Sequence, residues 1–108
     1  MPRPNGCIVQ HRYRVDPLDR AALVALLADV CDHSVDLGAA HFEAWQDEDD
    51  PWQWTEVHRF DSWSHYQRLA QKPLDQAMVD TYEALAKLQI GGAAAVETRT
   101  WTPVLASE

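Results

Sequence analysis

The chain has 108 residues and a mass of 12.3 kDa; 46% of its residues are hydrophobic and 24% are charged, which predicts one small globular domain over residues 1–108. Its net charge of −8 repels phosphate backbones and anionic lipid, so we expect neither nucleic acid nor membrane as a partner. The sequence has no signal-peptide pattern and only two cysteines, Cys7 and Cys31, which predicts a cytoplasmic protein without a disulfide framework.

A period-two pattern with one mostly apolar face predicts a first strand over residues 6–16. Asp16 and Pro17 are typical of a helix N-terminus, because Asp caps free amides and Pro fits the first helical position. The apolar residues that follow at helical spacing are Leu18, Ala22, Leu23, Leu26, Leu27 and Val30. The sequence therefore predicts a strand followed directly by an amphipathic helix.

A hairpin is predicted next, with strands over residues 39–46 and 52–60 and an acidic turn over residues 47–51. Asp61 and Ser62 are expected to cap a second helix that ends at Leu69.

Pro73 is expected to start a further helical segment. Its apolar face would comprise Leu74, Met78, Tyr82, Leu85 and Leu88. Gly91 and Gly92 would end it, and a last strand is predicted over residues 93–102.

The order β-α-β-β-α-β is that of the ferredoxin-like α+β fold, an antiparallel sheet with helices on one face. The other face is left open, so we expect a second copy to cover it and form a homodimer. Tryptophans on or beside the strands are expected to serve this interface: Trp45, Trp52, Trp54 and Trp101.

Several segments around the hairpin resemble the antibiotic biosynthesis monooxygenase domain. They are residues 12–17 (RYRVDP), 38–45 (GAAHFEAW), 49–51 (DDP), Trp54 and 60–62 (FDS). This resemblance implies a dimeric α+β barrel. It also implies chemistry of the kind found in the family's cofactor-independent oxygenases, which need neither metal nor flavin.

Three positions depart from the pattern of the family's haem-degrading branch. That branch uses an Asn, a Trp and a helix His, and the matching positions here are His11, Phe60 and Leu69. Leu69 cannot ligate iron, so the resemblance disfavours haem as a cofactor.

His11 and His58 share the apolar-face parity of two strands that the fold makes neighbours, although parity alone does not say which face this is. We expect His58 or His11 to be the catalytic base in a pocket for a flat aromatic ligand, since imidazole suits removal of a phenolic proton. Tyr13 or Tyr82 would donate a hydrogen bond to the oxyanion that forms. The predicted substrate-binding residues are Tyr13, Trp54, Phe60, His65 and Tyr82, with Glu56, Tyr66 and Met78 nearby. Ordinary hydrogen-bonded histidines in a core or interface are the alternative.

A metal site is a weaker hypothesis. It would use His11, His41 and His58 with Glu43 or Glu56, on three strands of one sheet. No pair of these residues has a spacing typical of metal ligands.

The sequence thus predicts a small cofactor-independent monooxygenase for a quinol or polyketide-type phenol. Two alternatives stay open: a binding or stress-related module without catalysis, and an isomerase or cyclase that transfers protons without oxygen.

Overall fold

The computed structural model describes residues 6–36 and 38–105. Within them lies one four-stranded antiparallel sheet, in the order β2-β3-β1-β4. The strands are β1 (Cys7–Arg14), β2 (His41–Gln46), β3 (Gln53–Phe60) and β4 (Glu97–Trp101). The helices are α1 (Arg20–Asp36), α2 (Trp63–Ala70) and α3 (Gln76–Leu88). The predicted ferredoxin-like α+β fold is confirmed, and the pairing of two copies stays a prediction.

The main core lies between one face of the sheet and helices α1 and α3. Its buried members are Tyr13, Val15, Leu23, Leu27, Val30, Trp54 and Leu85. A second cluster under α2 contains Cys7, Val9, Ala39, Phe60 and Leu69. The odd-numbered residues of β1 therefore point toward the helices. Burying one such aliphatic or aromatic side chain contributes about 1.5–3 kcal/mol.

The start of α1 follows the predicted capping, with a short addition. The Asp16 carboxylate accepts a hydrogen bond from the Leu18 amide at 2.9 Å, and Pro17–Asp19 form a 3-10 turn before the helix. This turn directs Leu18 outward, where it is 92% exposed, so its predicted place on the apolar stripe is wrong.

The prediction that Pro73 starts a helix is wrong. The segment after α2 is irregular, and α3 begins at Gln76 because the Asp75 carboxylate accepts a hydrogen bond from the Met78 amide at 2.8 Å. Leu74 consequently lies outside the helix and is 42% exposed.

The predicted last strand over residues 93–102 is too long. Gly91 and Gly92 both have positive φ, at 83° and 72°, and Ala93–Ala95 form a 3-10 turn. The chain needs this turn to pass from the end of α3 to the edge of β1, and pairing with β1 begins only at Glu97.

The tryptophans divide between the two faces of the sheet. Trp45 and Trp101 lie on the open face and are 59% and 49% exposed, whereas Trp52 precedes β3. Trp54 is paired with Tyr13 on the helix-facing side and is only 4% exposed, so its predicted place on the open face is wrong.

None of the helices in residues 6–36 and 38–105 combines the length and the apolar composition needed to span a bilayer.

Removing the α3 cap should destabilise the protein. We expect Asp75→Ala to lower the free energy of unfolding by about 1 kcal/mol, because the Met78 amide loses its acceptor. Urea unfolding followed by circular dichroism measures the change. Glu83→Ala, an exposed position within the same helix, is the control and should change stability by less than about 0.5 kcal/mol. Equal effects of the two variants would contradict the capping role.

Candidate functional site

Two adjacent cavities of about 280 Å³ each lie between the helix-facing side of the sheet and the helices. His11 of β1 and Tyr82 of α3 line both of them. The first cavity is also lined by Ser34, His58, Phe60, Tyr66 and Leu69. The second is also lined by Tyr13, Glu56, Leu85, Val96 and Thr98. Mostly apolar walls with a few polar groups are typical of small-molecule sites.

Strand register brings the polar groups together. His11 of β1 lies opposite Glu56 of β3, and Val9 lies opposite His58. His11, Glu56 and His58 therefore share one face of the sheet. The rings of His11 and His58 meet edge to face, with centroids 5.3 Å apart. The face that carries His11 and His58 is therefore the one covered by helices, and both cavities are lined by residues of a single copy of the chain.

Four buried side chains form a continuous chain of hydrogen bonds. The Tyr13 hydroxyl donates to Glu56 Oε2 at 2.5 Å, Glu56 Oε1 lies 3.3 Å from His58 Nε2, and His58 Nδ1 lies 2.9 Å from Ser34 Oγ. Glu56, His58 and Ser34 are 4%, 8% and 3% exposed. The chain runs from the second cavity, beside Tyr13, to the first, beside Ser34.

The chemistry of these groups fixes the direction of the hydrogen bonds. A carboxylate only accepts hydrogen bonds, so we assign a ring proton of His58 to Nε2; in the singly protonated ring, Nδ1 then accepts from the Ser34 hydroxyl. Both ring nitrogens of His58 are thereby engaged by protein groups.

His11 is bonded differently. Its Nδ1 lies 2.9 Å from Thr98 Oγ1, and Nε2 makes no hydrogen bond within residues 6–36 and 38–105. Burial lowers the pKa of His11, Glu56 opposes this shift, and His58 adds to it. His11 is therefore a neutral imidazole at neutral pH, with one ring nitrogen available at the cavities.

The two tyrosines beside Glu56 keep their protons. Burial raises the pKa of Tyr82, and the Glu56 carboxylate raises it further. Burial, the charge of Glu56 and the hydrogen bond to it raise the pKa of Tyr13 far above its usual range. The Tyr13 hydroxyl is committed to Glu56, whereas Tyr82 makes no side-chain hydrogen bond to the described residues and can donate to a ligand.

The structure brings some of the predicted ligand-binding residues to the cavities and leaves others out. Phe60 lines the first cavity, Tyr13 the second and Tyr82 both. Trp54 lines neither, since it packs in the main core with the Arg20 guanidinium 5.9 Å from its ring centroid. His65 lies outside both linings.

His65 instead lies against Gly38. A Cβ atom built on Gly38 would approach His65 Nε2 to 2.9 Å, and Gly38 has a φ of 93°. This contact places the imidazole against the loop before β2 rather than in a cavity.

The metal hypothesis does not fit the sheet. His41 and Glu43 lie on the open face, whereas His11, His58 and Glu56 lie under the helices. Among the described residues no three histidine, cysteine or carboxylate side chains converge on one point.

Ser34 and Thr98 are site residues that the sequence reasoning missed. Ser34 lies on the same buried face of α1 as Leu23, Leu27 and Val30. A polar residue at helical spacing with buried apolar residues is a signal that could have identified it. Thr98 gave no such signal, because its place beside His11 depends on the register of β4.

No protein-family model and no curated protein matches the chain. Solved structures do resemble it. SnoaB from Streptomyces nogalater, a cofactor-independent oxygenase, superposes with a TM-score of 0.73 at 12% identity over 94% of this chain and 96% of that one. A proposed antibiotic biosynthesis monooxygenase from Nitrosomonas europaea gives 0.74 at 10% identity over 100% and 99%. Another from Chloroflexus aurantiacus gives 0.68 at 21% over 95% and 97%.

At these identities the likeness concerns the fold. The fold of antibiotic biosynthesis monooxygenase-like proteins, expected from the hairpin motifs, is confirmed. The three positions that the resemblance singled out, His11, Phe60 and Leu69, all line the first cavity.

Removing the Tyr13 hydroxyl should destabilise the fold. Tyr13→Phe takes one of its two hydrogen-bond donors from the buried Glu56, so we expect the free energy of unfolding at neutral pH to fall by about 1.5–3 kcal/mol. Tyr66→Phe, at a half-buried ring on α2, is the control and should change it by less than about 1 kcal/mol.

Tyr13→Phe should also change how the free energy of unfolding depends on pH in the alkaline range. The pKa of Tyr13 is higher in the folded than in the unfolded state, so the wild type loses stability as pH rises through the unfolded value of about 10. Tyr13→Phe should lose less over that range in urea titrations. An equally steep loss would contradict the placement of Tyr13 beside the carboxylate.

Proposed function

We propose that the protein is a cofactor-independent monooxygenase that oxidises a flat aromatic compound, a quinol or a polyketide-type phenol. One observation carries the proposal. The neutral His11 imidazole has a ring nitrogen without a protein partner in the described residues, and it lies at two cavities with aromatic and apolar walls. The fold shared with SnoaB, itself a cofactor-independent oxygenase, supports it.

Such a reaction needs a base and a cavity with little water. His11 Nε2 would remove a proton from the substrate, and the electron-rich anion would then reduce oxygen directly. With its proton on Nδ1, the His11 ring donates to Thr98 Oγ1, and Nε2 is then free to accept the proton of the substrate.

Tyr82 is better placed than Tyr13 to donate a hydrogen bond to the negative oxygen that forms on the substrate. Its hydroxyl keeps its proton, and the residue lines both cavities. Phe60 and Tyr66, whose ring centroids are 5.0 Å apart, would pack against the substrate ring in the first cavity.

The test is oxygen uptake by chelator-treated protein with quinols, anthrones and naphthols, with product mass recorded in the same run. We expect uptake accompanied by the addition of one oxygen atom to the product. His11→Gln should lower kcat at least about 100-fold, because a general base contributes 10²–10⁴-fold.

His41→Gln is the matched control, since His41 lies on the open face and its side chain is 55% exposed. It should keep wild-type activity. Thermal stabilisation by a panel compound without oxygen uptake would contradict the oxygenase and favour a binding module. Substrate conversion without uptake would favour an isomerase or cyclase.

We also propose that a second copy of the chain covers the open face of the sheet. This face exposes the large apolar side chains Trp45 and Trp101. It also carries charges of both signs, among them Arg59 and Arg99 and the carboxylates of Glu43 and Glu97. A face with both signs can complement a copy of itself across a two-fold axis.

Placing a charge at an exposed aromatic position of this face should dissociate the dimer. We expect the wild type to sediment at twice its chain mass of 12.3 kDa and Trp45→Glu to sediment as a monomer. Leu18→Glu, at an exposed position in the 3-10 turn before α1, should leave the dimer intact. A wild type that sediments as a monomer at micromolar concentration would contradict the proposal.

A further inference from the structure

The buried chain Ser34–His58–Glu56–Tyr13 has no part in the reaction as proposed so far. Both His58 nitrogens are bonded within the protein, so a ligand in the first cavity can exchange a proton with His58 only through Ser34. Ser34 lines that cavity with its hydroxyl on His58 Nδ1. A serine that connects a cavity to a histidine and a carboxylate is a route for a proton.

The proposed oxidation moves two protons. Converting SubH₂ and O₂ into Sub=O and H₂O removes two hydrogens from the substrate, and both end in the water. His11 can hold one proton at a time. The hydrogen on the carbon that receives oxygen leaves in a second proton transfer, and the Ser34 hydroxyl at the same cavity is a second group that can accept it.

We propose that Ser34 is a second catalytic residue, which passes this second proton between the substrate and the His58–Glu56 pair. The proposal rests on the proposed function. It assigns the first proton to His11 and the second to Ser34, on two walls of one cavity.

The steps balance. His11 takes the first proton, the substrate anion bonds to one atom of O₂, and His11 returns its proton to the outer oxygen to give a hydroperoxide. Ser34 Oγ then takes the remaining proton from the oxidised carbon as its own proton moves to His58 Nδ1. The electrons of the C–H bond form the C=O bond, and the O–O bond breaks to release hydroxide. Hydroxide recovers the proton from His58 through Ser34 and leaves as water.

Glu56 stabilises the charged state that this transfer creates. When Nδ1 is protonated, His58 becomes an imidazolium whose Nε2–H faces the carboxylate at 3.3 Å, in a site of low dielectric. The Tyr13 hydroxyl holds the other carboxylate oxygen in place. His11 has discharged its proton by then, so the two neighbouring rings are never charged together.

The first test separates the two proton steps by their products. Ser34→Ala keeps His11, so we expect oxygen uptake to continue while formation of the oxygenated product falls at least about 100-fold and hydroperoxide or hydrogen peroxide is released instead. Glu56→Gln should shift the products in the same direction. Ser64→Ala, an exposed serine on α2, is the control and should behave as the wild type. Unchanged product yield in folded Ser34→Ala would overturn the proposal.

The second test needs no oxygen chemistry. 4-Nitrophenol is bound to the protein at a pH where the free phenol is mostly protonated, and its absorbance reports the ionised fraction. In His11→Gln the remaining proton acceptor is Ser34 together with His58. The ionised fraction of the bound phenol should therefore stay above that of the free phenol. In His11→Gln/Ser34→Ala that fraction should fall to the level of the free phenol.

The two tests distinguish the two proposals. Equal ionised fractions in the single and double variants would overturn the role of Ser34, and so would failure of all variants to bind the phenol. A lower ionised fraction in the double variant than in His11→Gln would support Ser34 as a proton acceptor. If the wild type at the same time consumed no oxygen with any panel compound, the oxygenase would be refuted and the role of Ser34 kept.

Discussion

The buried carboxylate of Glu56 is the constraint around which the helix-facing side of the sheet is organised. An ionised group only 4% exposed must be bonded, and Tyr13 and His58 supply its two side-chain donors from neighbouring positions on β1 and β3. Engaging His58 in this way requires a partner for its other nitrogen, which Ser34 provides from α1. One charge thus ties the sheet to a helix by hydrogen bonds rather than by apolar contact alone.

The polar chain lies between the two cavities. Val15, Leu23 and Trp54 belong to the main core and line neither cavity. Phe60 and Leu69 belong to the second cluster and also line the first cavity, next to the irregular segment between α2 and α3. One helix–sheet interface therefore supplies both the buried core and the walls of the cavities, which is how a chain of this size can hold both.

The division of the histidines follows from the same geometry. His58 lies on central strand β3 beneath the helices, where both ring nitrogens meet protein groups. His11 meets only Thr98 of edge strand β4, so one of its nitrogens stays available. The ring centroids of His11 and His58 are only 5.3 Å apart, yet the two residues have different chemical roles because their hydrogen-bond partners differ.

The sequence by itself determined the first three strands, α1, α2 and the α+β order, because period-two and helical patterns and the caps at Asp16 and Ser62 are local signals. It also placed His11 and His58 on one face. Only the tertiary structure decided that this face lies under the helices, that Trp54 belongs to the core, and that Ser34 and Thr98 are the partners of the two histidines. Such pairings join residues far apart in the chain, and they depend on strand register and helix packing that no local pattern encodes.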